Sequence, residues 1–224
     1  MSPTFAKTGS LALCAFLAMA AQASAQTDKK HDHGHEHSHD HDRSHDAKDI
    51  QAGLFDDDQI RARDLSDWAG DWQSVYPLLQ DGTLDAVMRH KAEHGDKTAE
   101  EYRAYYQTGY QTDMDRILIE ADRVTFFADG IALQGRYADD GHEVLTYASG
   151  NRGVRYVFAK TEGDAQAPAF IQFSDHAIAP NDADHYHLYW GEDRAALLQE
   201  VANWPTYYPS ALTGEEIAAE MTAH

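Results

Sequence analysis

From Arg116 onward the chain is a succession of short β-type runs, and nothing else in it constrains the fold so strongly. "RILIEADRVTFFADG", "IALQGRYADDG", "HEVLTYASGNRG", "VRYVFAK", "AFIQFSDH" and "DHYHLYWG" are rich in β-branched and aromatic residues, and several alternate polar with apolar. Asp-Gly and Asn-Arg-Gly turn signals separate them at roughly ten-residue spacing. The pattern predicts a mainly β fold, an antiparallel sheet closing into a small barrel.

Helices flank this region. "TLDAVMRHKAEHG" (83–95) carries an apolar stripe of Leu84, Val87 and Met88 and a stop signal at Gly95. "TAEEYRAYYQTGY" (98–110) opens with Thr98 and Glu101, the spacing of a capping box. Before them, "LSDWAGDWQSVYPLL" has Ser66 as a candidate N-cap, and Pro77 limits any helix there. At the end, "DRAALLQEVANW" and "LTGEEIAAEMTAH" read as helical on either side of a break at "PTYYP".

The first 25 residues read as a secretory signal peptide. Lys7 precedes an apolar run from Leu11 to Ala21, and Ala23-Ser24-Ala25 is an A-x-A cleavage signature. The run is too short for a membrane anchor, and nothing later is long enough to span a bilayer. The single cysteine, Cys14, lies inside this segment. The expected mature chain therefore has neither a thiol nor a disulfide. Residues 26–48 contain no large apolar residue and are expected to be a disordered arm. Residues 49–224 are expected to form one domain.

The chain has 18 basic and 38 acidic residues, a formal charge of −20. Loss of Lys7 with the signal would make it −21, one less than −20. Such a surface repels nucleic acid and anionic membranes and is compatible with cations.

All 14 histidines follow the expected cleavage site. Seven lie in the arm: His31, His33, His35, His37, His39 and His41 alternate with other residues, and His45 follows. Neutral imidazoles bind zinc, copper and nickel. A disordered tract must be ordered on binding, so it should bind loosely and unselectively. His90 and His94 are four apart on the predicted helix, with Glu93 between them, but the full H-E-x-x-H pattern is absent. They read as surface histidines, with His94 near a helix end that favours cations. His142 reads as a solvated turn residue. His185 and His187 are two apart on a predicted strand and so share a face, with Tyr186 pointing the other way. His176 ends the preceding strand. Together the three make a His₃ set that zinc accepts, with a fourth position left open. The alternative is a pair of histidines on a polar strand face.

"RDLSDWAGDWQSVYPLLQDGTLD", "KTAEEYRAYYQTGYQTD", "LTYASGNRGVRYVF", "APAFIQFSDHAIAP", "HYHLYWG" and "NWPTYYPSALTGEEIAAEM" resemble the ZinT (YodA) family of exported zinc-binding proteins. The resemblance covers about residues 50–224. It implies a lipocalin-like (calycin) β-barrel with added N- and C-terminal helices. It implies one Zn2+ site at the matching His176, His185 and His187, which cadmium or nickel can also occupy. Gly70-x-Trp72 resembles the lipocalin G-x-W signature, a packing feature. The resemblance further implies a periplasmic protein acting in zinc shortage, which captures zinc and supplies it to, or works beside, the solute-binding subunit of a zinc ABC importer. The arm histidines and His224 are then auxiliary metal donors, and zinc enters at the barrel mouth. Two other readings compete. One is a His₃-zinc hydrolase, for which Asp175 and Asp184 are the nearby carboxylates and no nucleophile motif is evident. The other is a lipocalin-type carrier of a small apolar ligand. No enzymatic activity, nucleic-acid partner or membrane insertion after cleavage is expected.

Overall fold

The structure is a computed structural model that describes residues 48–148, 150–199 and 202–223. The expected signal segment, the arm histidines His31–His45 and His224 lie outside the described residues.

Eight strands close into an antiparallel barrel in which each strand pairs with the next and the last returns to the first. They are β1 (Gly70–Ser74), β2 (Arg116–Glu120), β3 (Arg123–Ala128), β4 (Ile131–Thr146), β5 (Arg152–Gly163), β6 (Phe170–Ser174), β7 (Tyr186–Gly191) and β8 (Thr206–Pro209). Closure leaves no free sheet edge. The β3–β4 turn is Asp129-Gly130, with both residues at positive φ, as a tight two-residue hairpin requires.

Alternation sends Trp72, Phe126, Tyr156, Phe158, Phe173, Tyr186 and Tyr207 inward, where they form a dense aromatic core around Trp68. Trp72 donates its indole N–H to the Trp68 carbonyl at 2.9 Å and meets Tyr186 edge-on. The G-x-W pair is thus a packing element. An interior filled in this way leaves little room for a small apolar ligand.

A helical layer forms a second core on the barrel's outside. It comprises α1 (Tyr76–Gln80), α2 (Asp85–His94), α3 (Ala99–Tyr110) and α4 (Gly214–Ala223). Val75, Leu79, Leu84, Val87, Met88, Tyr110, Ile217 and Met221 meet there, and Tyr208 of β8 joins them from the barrel wall. Both halves of the Thr98–Glu101 capping box are formed at the start of α3. Among the described residues no helix is long and apolar enough to cross a membrane.

Four local expectations need correction. The segment after Leu65 is a 3-10 turn capped by Asp64, not Ser66, and then strand β1. Pro77 opens a helix instead of limiting one: it lies in the first turn of α1, where a missing N–H costs nothing. "IALQGRYADDG" and "HEVLTYAS" are largely one long strand, β4, which continues through Asp140-Gly141 as a bulge. His142 is therefore in a strand, not a turn. At the C-terminal side the order is reversed. Among the described residues of "DRAALLQEVANW" the helical element is a 3-10 turn at Ala196–Leu198, whereas "TYYP" is the strand that closes the barrel. Pairing with both β1 and β7 outweighs the two flanking prolines, which lie at the strand's edges.

Candidate metal centre

β7 starts at Tyr186, and Tyr186 stacks on Tyr207 inside the barrel. The alternation then turns His185 and His187 to the outer face of the wall. The family resemblance implies zinc entry at the barrel mouth; the alternation puts these rings on the outer face, at the rim beside the helical layer. His187 lies opposite Thr206 on β8 and Ser174 on β6. His185 stacks almost flat on Tyr208, with centroids 5.1 Å apart and planes 9° apart.

His176 comes from the loop after β6. Its φ is +64°, a left-handed conformation that costs a non-glycine residue free energy unless the surroundings impose it. Those surroundings are a buried ion-pair network. Arg63 donates to Asp175 Oδ1 at 2.6 Å, to Asp67 Oδ2 at 2.7 Å and to the Asn181 carbonyl at 2.9 Å. The side chains of Arg63 and Asp175 are 0% and 2% exposed. Burial works against the Arg63 charge, but the hydrogen bonds and charges of Asp175 and Asp67 outweigh it and raise its pKa above the ordinary arginine value. Asp175 Oδ1 also accepts the Ala177 N–H, and the Arg61 N–H donates to the Ile178 carbonyl. The loop that carries His176 is thereby tied to the segment before β1.

The three imidazoles face one another. Ring centroids lie 5.6 Å apart for His176 and His187, and 6.2 Å apart for each of them with His185. Metal–nitrogen bonds of about 2.0–2.1 Å would bring tetrahedral imidazole centroids to roughly 5 Å. The set is therefore slightly open but of the right kind. A cleft of about 360 Å³, lined by His176, His185, Asp175 and Asp184 among others, opens beside it.

The hydrogen bonds of Thr206 decide the tautomer of His187. The Thr206 hydroxyl donates to the Trp204 carbonyl at 3.0 Å. Its only proton is thus used, so the 2.8 Å contact to His187 Nδ1 must run from Nδ1–H to the hydroxyl oxygen. This leaves the Nε2 lone pair for a ligand, the arrangement that orients metal-binding histidines. Burial, then the His176 and His185 rings, then the Arg155 guanidinium hold the His187 pKa well below its ordinary 6.5. The ring is consequently neutral at pH 7.

Sequence reasoning did not single out Arg63, Thr206 or Tyr208. Arg63 lies in a polar stretch without periodicity, and Thr206 and Tyr208 lie in what read as a break. Asp175 and Asp184 both line the cleft, but Asp175 is engaged by Arg63. The helical pair His90 and His94 is elsewhere, on α2. Its donors, together with one from Glu93, all lie within 4.8 Å of one another, and its two imidazole centroids are 4.7 Å apart.

Residues 46–224 match the family model described as ZinT (YodA) periplasmic lipocalin-like zinc-recruitment. The chain belongs to the ZinT family. It is 61% identical over 176 residues to the probable metal-binding protein YrpE of Bacillus subtilis, covering 78% of this chain and 70% of that protein. It is 50% identical over 182 residues to the zinc-binding protein AdcA of Streptococcus pyogenes, covering 79% of this chain but 35% of AdcA. The chain thus spans about a third of AdcA. Among solved structures, the Zn(II)-bound ZinT-like domain of Streptococcus pneumoniae AdcA superposes with a TM-score of 0.75 at 47% identity, covering 77% of this chain and 97% of that one. The family and these relatives are described as binding metal, and the lipocalin-like barrel is that of the ZinT domain.

Proposed function

We propose that the protein captures Zn2+ through His176, His185 and His187. The observation that carries this reading is the Thr206–His187 hydrogen bond, which engages Nδ1 and leaves Nε2 of the buried ring facing two further imidazoles. Membership of a zinc-recruiting family and likeness to Zn(II)-bound relatives support the choice of metal. Three neutral donors leave a fourth position for water, a carboxylate or a donor from the arm or His224. An open position suits an ion that must be passed on.

In this reading the protein works in the periplasm under zinc limitation. It hands its cargo to the solute-binding subunit of a zinc ABC importer. The importer link draws on AdcA, in which a ZinT-like domain is part of a larger zinc-binding protein. The arm histidines gather metal, and their tethering raises the local donor concentration. Cd2+ and Ni2+ also suit imidazole donors and would compete for the same site.

The test is a calorimetric Zn2+ titration against a competing chelator. The wild-type chain is expected to show one tight site, and the double variant His185→Ala/His187→Ala none. Tight binding that survives in the double variant would sink the assignment. The same titration on a chain starting at Asp49 separates the arm from the barrel. A tight site lost with the arm would make the arm an essential part of the centre.

A further inference from the structure

We propose that the last turn of α2 is a second, exposed site for a divalent transition-metal ion, built from His90, Glu93 and His94. It is independent of the barrel centre and does not rest on the function proposed for it. Positions i, i+3 and i+4 of a helix share one face. Here all three side chains each offer a donor atom, and these atoms lie within 4.8 Å of one another. The two imidazole centroids are 4.7 Å apart, closer than any pair in the barrel triad. Metal bonds of about 2.0–2.1 Å require tetrahedral donors roughly 3.4 Å apart. Small side-chain rotations on a fixed helix close the remaining gap.

The donor set and its setting both favour a cation. Two imidazoles and one carboxylate form a ligand group that zinc accepts with one position open, and that copper and nickel also suit. His94 is the last residue of α2, whose C-terminal carbonyls carry the negative end of the helix dipole. Two basic side chains flank His90 in sequence: Lys91 is turned toward α3, with its ammonium 5.5 Å from the centre of the Tyr106 ring, and Arg89 is exposed. Lys97, beyond the helix, is paired with Asp96. His90 is half-buried, whereas Glu93 and His94 are exposed. An ion here therefore exchanges directly with solvent. The ligand class is a borderline divalent ion, Zn2+, Cu2+ or Ni2+, rather than Ca2+ or Mg2+, which prefer all-oxygen shells.

The test uses Zn2+ alone as the probe and the full-length chain labelled with 15N. The imidazole signals of His90 and His94 are followed by NMR during the titration. It is run in the wild type and in a His176→Ala/His185→Ala/His187→Ala background. The two signals are expected to shift together, with the same half-saturation concentration, in both backgrounds. His94→Ala is expected to raise the half-saturation concentration at His90 by more than about tenfold, the least that removing even an outer partner of a metal ligand costs. A His90 response unchanged by His94→Ala would reduce the pair to independent surface histidines and overturn the site. So would the absence of any response, or a response that disappears with the barrel histidines. Loss of tight binding at the barrel with the α2 response intact would leave this proposal standing.

Discussion

His176, His185 and His187 come from a loop and a strand start and are kept in place by Arg63, Thr206 and Tyr208, far away in the chain. His90, Glu93 and His94 come from a single helical turn and need nothing beyond the helix to meet. The helical pair of imidazoles is the closer in ring distance. The barrel set is the one with buried supports, a fixed tautomer and an adjacent cleft. Proximity thus comes cheaply from local periodicity, whereas a preorganised environment requires residues from many elements. A ligand set with supports can hold an ion against competing chelators; one without them is left with the intrinsic affinity of its donors.

The largest effect expected from breaking this contrast is at Arg63. Replacing it with Met leaves the buried Asp175, and the partly exposed Asp67 beside it, without their cation, which should destabilise the fold by about 3–5 kcal/mol. Chemical denaturation of the metal-free protein measures this. A loss below about 1 kcal/mol would mean that the network does not secure the His176 loop.

Thr206→Val comes next. It keeps the shape but removes the acceptor for His187 Nδ1–H, and Zn2+ affinity should fall about 10–100-fold. The same change should leave binding at α2 untouched. A chelator competition assay that finds wild-type affinity would refute the tautomer argument.

The pH dependence tests the barrel centre further. His187 ionises near 6.5 in the unfolded chain but only well below that when folded. The unfolded state therefore binds more protons as pH falls below 6.5, and folding stability declines from there until the depressed pKa is passed. The Tm of the metal-free protein should drop between pH 7 and 5, and His187→Gln should flatten part of that slope. An identical slope in the variant would show that the buried ring is not responsible.

The smallest effect is expected on α2. His90→Ala and His94→Ala should each change metal-free stability by no more than about 0.5 kcal/mol, since one residue is only half-buried and the other exposed, and alanine favours helix. A larger change in denaturation midpoint would give these histidines a structural role.

The sequence by itself determined the elements whose signals are local. The period-2 runs after Arg116 specify strands, because successive side chains must lie on opposite faces of a sheet. The capping box at Thr98 and the stripe of Leu84, Val87 and Met88 specify α3 and α2 for equally local reasons. The H-x-H spacing of His185 and His187 is likewise legible, because residues two apart on a strand share a face. Tertiary structure decided the rest. "TYYP" reads as a break until β1 and β7 offer it partners on both sides, and "IALQGRYADDG" reads as ending in a turn until β5 pairs across the bulge. Which face His185 and His187 occupy depended on Tyr186 being taken into the barrel. The supports of the site, Arg63 and Thr206, carry no pattern of their own. Their roles arise from long-range hydrogen bonds that exist only once the barrel has closed and the loop after β6 has been drawn against the segment before β1.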